Sequence, residues 1–414
     1  LRTSPLHDKI DRAVAFFPWY GQLLKESGID RSAIRSIEQL PLVTSELLER
    51  FYYGRDRPYS EPSGELENTA GRVSCYRTSG TSANRRKTIY YSPEDERKYI
   101  RIKADLFRRL LADSNIRTAL SDMGTGHAAS TAMEVFSRLG VKADSIPFEL
   151  PIARHLERLK TLRPQALYTM PSILDRLLAS PDEDAASCGI RRVILVGEIA
   201  APSWQRSVAE RLGLTDRDIV DTYGSIEIGT IAYYSHEHGR YLFVEGIKPE
   251  GIPAHALGGD PEPLQDGEAV LVLTSYAREL FPALRYVTYD IVRDLRPIRV
   301  DGVWRQSFQA IVRRIGPELK HGEKISVYDI EDVVYRHLPE AHASIRVRGR
   351  KLAVLVDGGQ GSSELFERIE SELMDRIPEI GTMIRGGLLD AIQVLPADIP
   401  LEDKSMKQKK VFYD

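Results

Sequence analysis

Thr78-Ser79-Gly80-Thr81-Ser82 sets four hydroxyls around one glycine, and Arg85, Arg86 and Lys87 follow after Ala83-Asn84. Backbone N–H groups and hydroxyls in such a turn can cradle phosphate oxygens. The run lacks the Gly-Lys-Ser/Thr ending of a Walker A loop, so taken alone it also fits an ordinary turn. Asp221-Thr222-Tyr223-Gly224-Ser225-Ile226-Glu227 follows a strand-like run. A planar ring at a strand end can stack on a base, and a carboxylate three residues beyond Gly224 can hold Mg²⁺ against phosphate oxygens. A strand-end turn with a solvated glutamate is the plainer alternative. Asp290 ends an apolar stretch and could accept hydrogen bonds from both hydroxyls of a ribose; an ordinary loop aspartate is the alternative. Gly124-Thr125-Gly126-His127-Ala128-Ala129, with Asp144 about twenty residues on, has the outline of a dinucleotide fingerprint. The strand before it is polar for that role, and no group suited to hydride transfer stands out elsewhere. His127 could line a substrate pocket or serve as a structural histidine. Four lysines fall within residues 404–410, which on composition alone read as a solvated basic tail.

Bulk properties narrow the classes. A chain of 414 residues exceeds one ordinary domain and suggests two or three. With 42% hydrophobic and 28% charged residues it has a globular balance, and a net charge of −3 provides no global field for nucleic acid or anionic lipid. Any anion site must therefore be local. Cys75 and Cys188 lie outside metal-ligand or CxxC spacing and read as buried thiols of a reducing compartment. No apolar run has the length of a membrane span, and the first residues carry no secretory pattern. A cytoplasmic enzyme, monomer or homodimer, is the expectation.

The elements that must position these groups follow in order. Short helices fill residues 5–55, with Thr44 capping one of them, and a Pro/Gly/Ser/Glu-rich connection spans 56–71. A long helix begins at Pro93, capped by Ser92 and acidic in its first turn. Strand-like and helix-like segments then alternate to about 225, which argues for a largely parallel α/β body. After 230 the chain turns strand-rich, and a smaller α+β unit begins at about 317. The predicted fold is a large N-terminal α/β body (1–314) with parallel sheets and a small β-rich subdomain. A small, mobile C-terminal α+β domain (317–414) follows, with a hinge at about 313–317.

Individually these motifs are weak; their order is not. The chain resembles the adenylate-forming superfamily of acyl-CoA synthetases, adenylation domains and luciferases, and within it the phenylacetate–CoA ligase branch. "RTSGTS", "VGEIAAPSWQRSVAERLG" with "DTYGSIEIG", and "GEKISVYDIE" carry the resemblance, which runs along nearly the whole chain. It implies that Thr78, Ser79, Gly80, Thr81, Ser82 and Lys87 meet ATP phosphates. It places Gly197 and Glu198 beside adenine, with Tyr223 stacked on the base next to Gly224 and Ser225. Glu227 would bind Mg²⁺, Asp290 the ribose, and Arg313 ribose or phosphate. Lys407 would serve the adenylation step, and His127, Tyr168 and Met170 would line the acid pocket. The chain departs from the pattern in two places. Gly316-Pro317 stands where an acidic hinge residue is usual, and Met406 replaces the glycine before the catalytic lysine, so Lys409 or Lys410 could take that role. The zinc-holding cysteines of some relatives are absent.

The resemblance implies ATP-dependent activation of an aryl or otherwise compact carboxylic acid to an acyl-adenylate. The acyl group then passes to a thiol, either coenzyme A or the phosphopantetheine arm of an acyl carrier protein. Two alternatives remain: a non-thiol acceptor, as in an amide ligase or a nucleotidyltransferase, and an NAD(P)-dependent oxidoreductase built on Gly124, Gly126 and Asp144.

Overall fold

The computed structural model describes residues 4–53, 58–60, 73–77, 87–123, 126–147, 150–179, 185–258, 263–315, 327–339, 341–348, 351–357, 361–377, 380, 384, 390–397 and 411–413. The chain packs into two compact units. One is Leu1–Phe107 with Gly224–Tyr233 and Tyr241–Ala310; the other is Arg108–Tyr223 with Tyr234–Arg240 and Ile311–Asp414.

The second unit is built on parallel strands. Lys142–Ser145, Thr118–Ser121, Ala166–Thr169, Arg192–Val196 and Ile219–Ser225 lie side by side in that order, every pair parallel. Ala166–Thr169 is buried at every residue, as a strand covered on both faces should be. The helices Gly126–Arg138, Ile152–Leu162, Pro171–Leu178 and Pro202–Leu212 fall in the connections. Two of them open with proline, whose fixed φ suits the first helical position, and the last ends at Gly213 with φ +67°. From Thr118–Ser121 the chain goes outward to Lys142–Ser145 and returns on the other side to Ala166–Thr169. The strand order therefore reverses between Thr118–Ser121 and Ala166–Thr169, the kind of point where open α/β sheets bind ligands beyond the carboxyl ends of their strands.

The same unit contains the expected α+β segment. Its sheet runs Ala391–Pro396, Lys351–Asp357, His342–Arg348, Val411–Tyr413, antiparallel at the central pair and parallel at both edges. The helices Val327–His337 and Ser363–Arg376 close over it through Ile330, Val333, Val334, Ile369 and Leu373. The four lysines of 404–410 fall between these two edge strands in sequence and lie outside the described residues.

The first unit starts with the short helices Pro5–Phe16, Pro18–Glu26 and Ser45–Phe51. Thr44 caps the third by accepting a hydrogen bond from the Leu47 N–H. Strands Ser74–Arg77 and Thr88–Tyr91 pair antiparallel with Arg77 opposite Thr88, so they bracket the hydroxyl-rich loop at its two ends. The helix Pro93–Leu111 begins with a reciprocal cap: the Asp95 N–H donates to Ser92 Oγ and the Ser92 N–H to the Asp95 carboxylate, both at 3.0 Å. Ile247–Ile252, Glu268–Ser275 and Tyr286–Arg293 form the antiparallel layer of the β-rich part. Cys188 is buried as expected, but Cys75 is exposed, because burial alternates along its strand and Cys75 falls on the open face with Arg77. Among the described residues no helix is long and apolar enough to cross a membrane.

Candidate functional site

Register brings four of the expected residues onto one rim of the parallel sheet. Val196 pairs with Thr222, so Gly197 and Tyr223, the next residues, lie side by side at the carboxyl ends of adjacent strands. Thr169 pairs with Leu195, which puts Met170 on the same rim. Gly197 has φ +85°, and a Cβ there would lie 3.6 Å from Met170 Sδ. A side chain at this turn would be strained and would pack against Met170. The Glu198 carboxylate accepts hydrogen bonds from the N–H and the hydroxyl of Ser172, both at 2.9 Å. Its charge caps the helix Pro171–Leu178, so what Gly197-Glu198 presents to a ligand is backbone.

Below the switch point, Asp122 and His155 are fully buried with 3.7 Å between His155 Nδ1 and the carboxylate. Burial raises the Asp122 pKa, partly offset by His155 and Thr169. His127, 5% exposed, sits in the first turn of Gly126–Arg138, where its carbonyl accepts from the Thr131 hydroxyl at 2.7 Å. Tyr168 is fully buried within its strand and Met170 is 5% exposed; of the two, Met170 stands at the strand end. Arg313 is 6% exposed on the strand Ala310–Arg314.

In the other unit, the turn carrying Glu227 is closed by two glycines. A Cβ on Gly224 would lie 2.7 Å from the Gly229 carbonyl, and one on Gly229, with φ +95°, would lie 2.9 Å from the Tyr99 ring. Ser225 Oγ accepts from the Ile228 N–H at 3.2 Å and shapes the turn from within. Glu227 is half-buried and its carboxylate has no ion pair among the described residues. No cluster of three His, Cys, Asp or Glu fit for a metal occurs among those residues. A single carboxylate of this kind fits Mg²⁺, which keeps waters and takes its other ligands from substrate phosphates.

Asp290 owes its position to a β-bulge that the sequence reading did not anticipate. Val270 pairs with Ile291 but Val272 with Val287, so Thr288, Tyr289 and Asp290 together face Leu271. Tyr289 takes φ +63°, its hydroxyl accepts from the Ser45 N–H at 3.0 Å, and Thr288 Oγ1 accepts from the Asp290 N–H at 3.1 Å. Such bulges re-aim a side chain and are enriched beside active sites. Lys87 forms an ion pair with Glu49 at 2.8 Å over the Tyr53 ring. That pair is part-exposed and so weak enough to yield to a polyanion. Asp144, the acid of the dinucleotide outline, is engaged by Arg158 and by the Ser145 N–H. Thr78, Ser79, Gly80, Thr81 and Ser82, Gly124, the Gly316-Pro317 pair, and Lys407, Lys409 and Lys410 lie outside the described residues.

Residues 320–399 match the family described as the fumarate–diaminopropanoate ligase C-terminal domain. The chain is 36% identical over 384 residues to fumarate–(S)-2,3-diaminopropanoate ligase of Enterobacter agglomerans, covering 93% of this chain and 92% of that protein. It is 23% identical over 320 residues to phenylacetate–coenzyme A ligase of Thermus thermophilus, covering 69% of this chain and 64% of that protein. In fold it is similar to a solved 2-hydroxyisobutyryl-CoA ligase in the postadenylation state in complex with 2-HIB-AMP. That likeness has a TM-score of 0.71 at 19% identity and covers 99% of this chain and 88% of the other.

Proposed function

This chain belongs to the adenylate-forming ligases, in the family of fumarate–(S)-2,3-diaminopropanoate ligase, and from that premise we propose that it activates a compact carboxylic acid with ATP and passes the acyl group to an amine. The observation that carries this reading is the 36% identity sustained over 93% of the chain with a ligase named for an acid and an amino acid. An amide, not a thioester, is then the product, and a dicarboxylic acid is the first substrate to test. Membership of a ligase family sets aside the oxidoreductase alternative, in keeping with an Asp144 already held by Arg158.

The residues support both half-reactions. A carboxylate oxygen attacks the α-phosphorus of ATP, and the bond to the β-phosphate oxygen breaks as pyrophosphate leaves. Attack brings two anions together and concentrates charge on the phosphoryl oxygens, so fixed positive groups favour the transition state over the ground state. Lys407 would supply one, and Mg²⁺ held by Glu227 would supply charge neutralisation across the phosphates. Tyr223 and the Gly197 backbone would hold the adenine, Asp290 the ribose, Arg313 ribose or phosphate, and Thr78 through Ser82 with Lys87 the leaving phosphates. Proximity is the main contribution of these contacts. In the second step the amine nitrogen attacks the acyl carbon, the bond to the AMP oxygen breaks, and the nitrogen gives up its proton. A turn of residues 317–414 about 313–317 would withdraw Lys407 between the two steps.

The deciding experiment supplies the full chain with ATP, Mg²⁺ and a panel of acids that includes fumarate, succinate and phenylacetate. Each acid is tested with 2,3-diaminopropanoate, with other small amines, and with coenzyme A. Acid- and amine-dependent AMP release with an amide mass in the products is expected. Turnover that needs coenzyme A and yields a thioester would replace this reading with the acid–thiol one.

A further inference from the structure

A fully buried ion pair lies beneath the turn that carries Glu227. Arg278 and Asp95 are each 1% exposed, and Nη1 of the arginine is 2.6 Å from the carboxylate. The other donors of the same guanidinium reach backbone: Nε donates to the Glu227 carbonyl and Nη2 to the Tyr90 carbonyl, both at 2.8 Å. Its central carbon Cζ lies 3.7 Å from the centre of the Tyr91 ring, and the Tyr91 hydroxyl donates to the Ile226 carbonyl at 2.7 Å. Asp95 accepts from the Glu279 N–H at 2.6 Å and the Leu280 N–H at 3.1 Å, besides capping its own helix. Lys9 donates to the Arg278 carbonyl from the opposite side.

Stability alone is a poor reason for such a pair. Taking both charges out of water costs about as much as their attraction returns, and an apolar pair of similar volume packs as well. What an apolar pair cannot do is fix three acceptors at set angles, and a planar guanidinium fork does. The acceptors are informative. Tyr90 and Tyr91 lie on the strand Thr88–Tyr91, through which the chain leaves the 78–87 loop; Ile226 and Glu227 form the turn that presents the free carboxylate. Resting on the reading of Glu227 as the Mg²⁺ carboxylate, we infer that Arg278 is a positioning residue which, held by Asp95 and Tyr91, ties the strand leaving the phosphate loop to the Glu227 turn and thereby sets how the site takes Mg²⁺-bound nucleotide.

Arg278→Lys and Tyr91→Phe in the full chain test this. Lysine keeps the charge beside Asp95 but cannot reach both carbonyls; phenylalanine keeps the ring and loses only the bond to Ile226. The Mg²⁺ concentration for half-maximal pyrophosphate release is measured, with calorimetric affinity for ATP in Mg²⁺ and in EDTA. Arg278→Lys is expected to raise the Mg²⁺ requirement about tenfold and Tyr91→Phe several-fold, from the loss of one or two backbone contacts of ~0.5–1.5 kcal/mol each. ATP affinity in EDTA should stay within twofold, and saturating Mg²⁺ should restore the rate. Should Arg278→Lys fail to fold, Tyr91→Phe alone decides, and a wild-type Mg²⁺ requirement in it overturns the inference. Glu227→Gln run beside them separates the two claims. A wild-type requirement in Glu227→Gln removes Glu227 from the metal and this inference with it. A raised requirement there, with wild-type values in both other variants, overturns the positioning role alone.

Discussion

Asp290 shows how one residue is given its position by its neighbours. It is delivered by a bulge whose central residue, Tyr289, occupies a left-handed conformation that a bulky side chain rarely adopts. The Ser45 N–H and hydroxyl hold the Tyr289 hydroxyl at 3.0 and 2.9 Å and offset that cost. If Asp290 accepts both ribose hydroxyls, two hydrogen bonds to a charged group worth about 1.5–3 kcal/mol each are at stake. Asp290→Asn keeps one good acceptor, so ATP affinity measured by calorimetry should fall about 10- to 100-fold. The same variant should lose most of its discrimination between ATP and 2′-deoxy-ATP, and a preserved preference would put the ribose elsewhere. The type of this residue and its place after an apolar stretch were legible in the sequence. The bulge was not, because it depends on a register shift against Glu268–Ser275, a pairing with no local signature. Glu198 teaches the converse. Its motif marked a turn at a strand end, and there the carboxylate is spent on Ser172, a partner 26 residues away that no spacing rule connects to it.

At the scale of elements, the helix Pro93–Leu111 combines a legible start with a concealed cost. Ser92, Pro93 and the acidic first turn announced it, and the reciprocal Ser92–Asp95 cap is what they build. Ten residues further in, Lys103 is 4% exposed, donates to the Tyr99 hydroxyl at 2.9 Å and lies 5.8 Å from the centre of the Phe107 ring. Burial lowers its pKa from 10.5 to about 7, and Lys9 is lowered to about 7 in the same way. Between those two values the unfolded chain binds more protons than the folded one, so stability must rise with pH across that window. Lys103→Met removes one of the two contributions. Thermal unfolding followed from pH 7 to 9.5 should show roughly half the wild-type rise, and an undiminished rise would assign the titration to another group. Sequence could not foretell this, since a lysine in a charged amphipathic helix reads as exposed until the packing of Tyr99 and Phe107 is known. The parallel strands were easier: strand-like runs alternating with helix-like ones announce the class, while the order, with its reversal between Thr118–Ser121 and Ala166–Thr169, needed the structure.

At the scale of the molecule, the question is why a ligase should carry an α+β segment at its C-terminal end. Its sheet places the Ala391–Pro396 and Val411–Tyr413 strands at opposite edges, and four lysines fall between them in sequence at 404–410. Four lysines this close in sequence repel one another and gain little for stability. If Lys407 delivers an ammonium to the α-phosphate, as proposed, it serves the first half-reaction and hinders the second. Lys407→Ala should therefore lower acid-dependent pyrophosphate exchange about 10²- to 10³-fold, the usual cost of losing one preorganised electrostatic contact. Amide formation from a chemically prepared acyl-adenylate should stay within a few-fold of wild type, because that step does not use the phosphate-directed charge. Lys409→Ala and Lys410→Ala measured beside it locate the charge: a large loss confined to one of them moves the role along the chain. Equal losses in both half-reactions for Lys407→Ala would mean that the segment serves folding or acceptor binding, and the division of labour between the half-reactions would have to be abandoned.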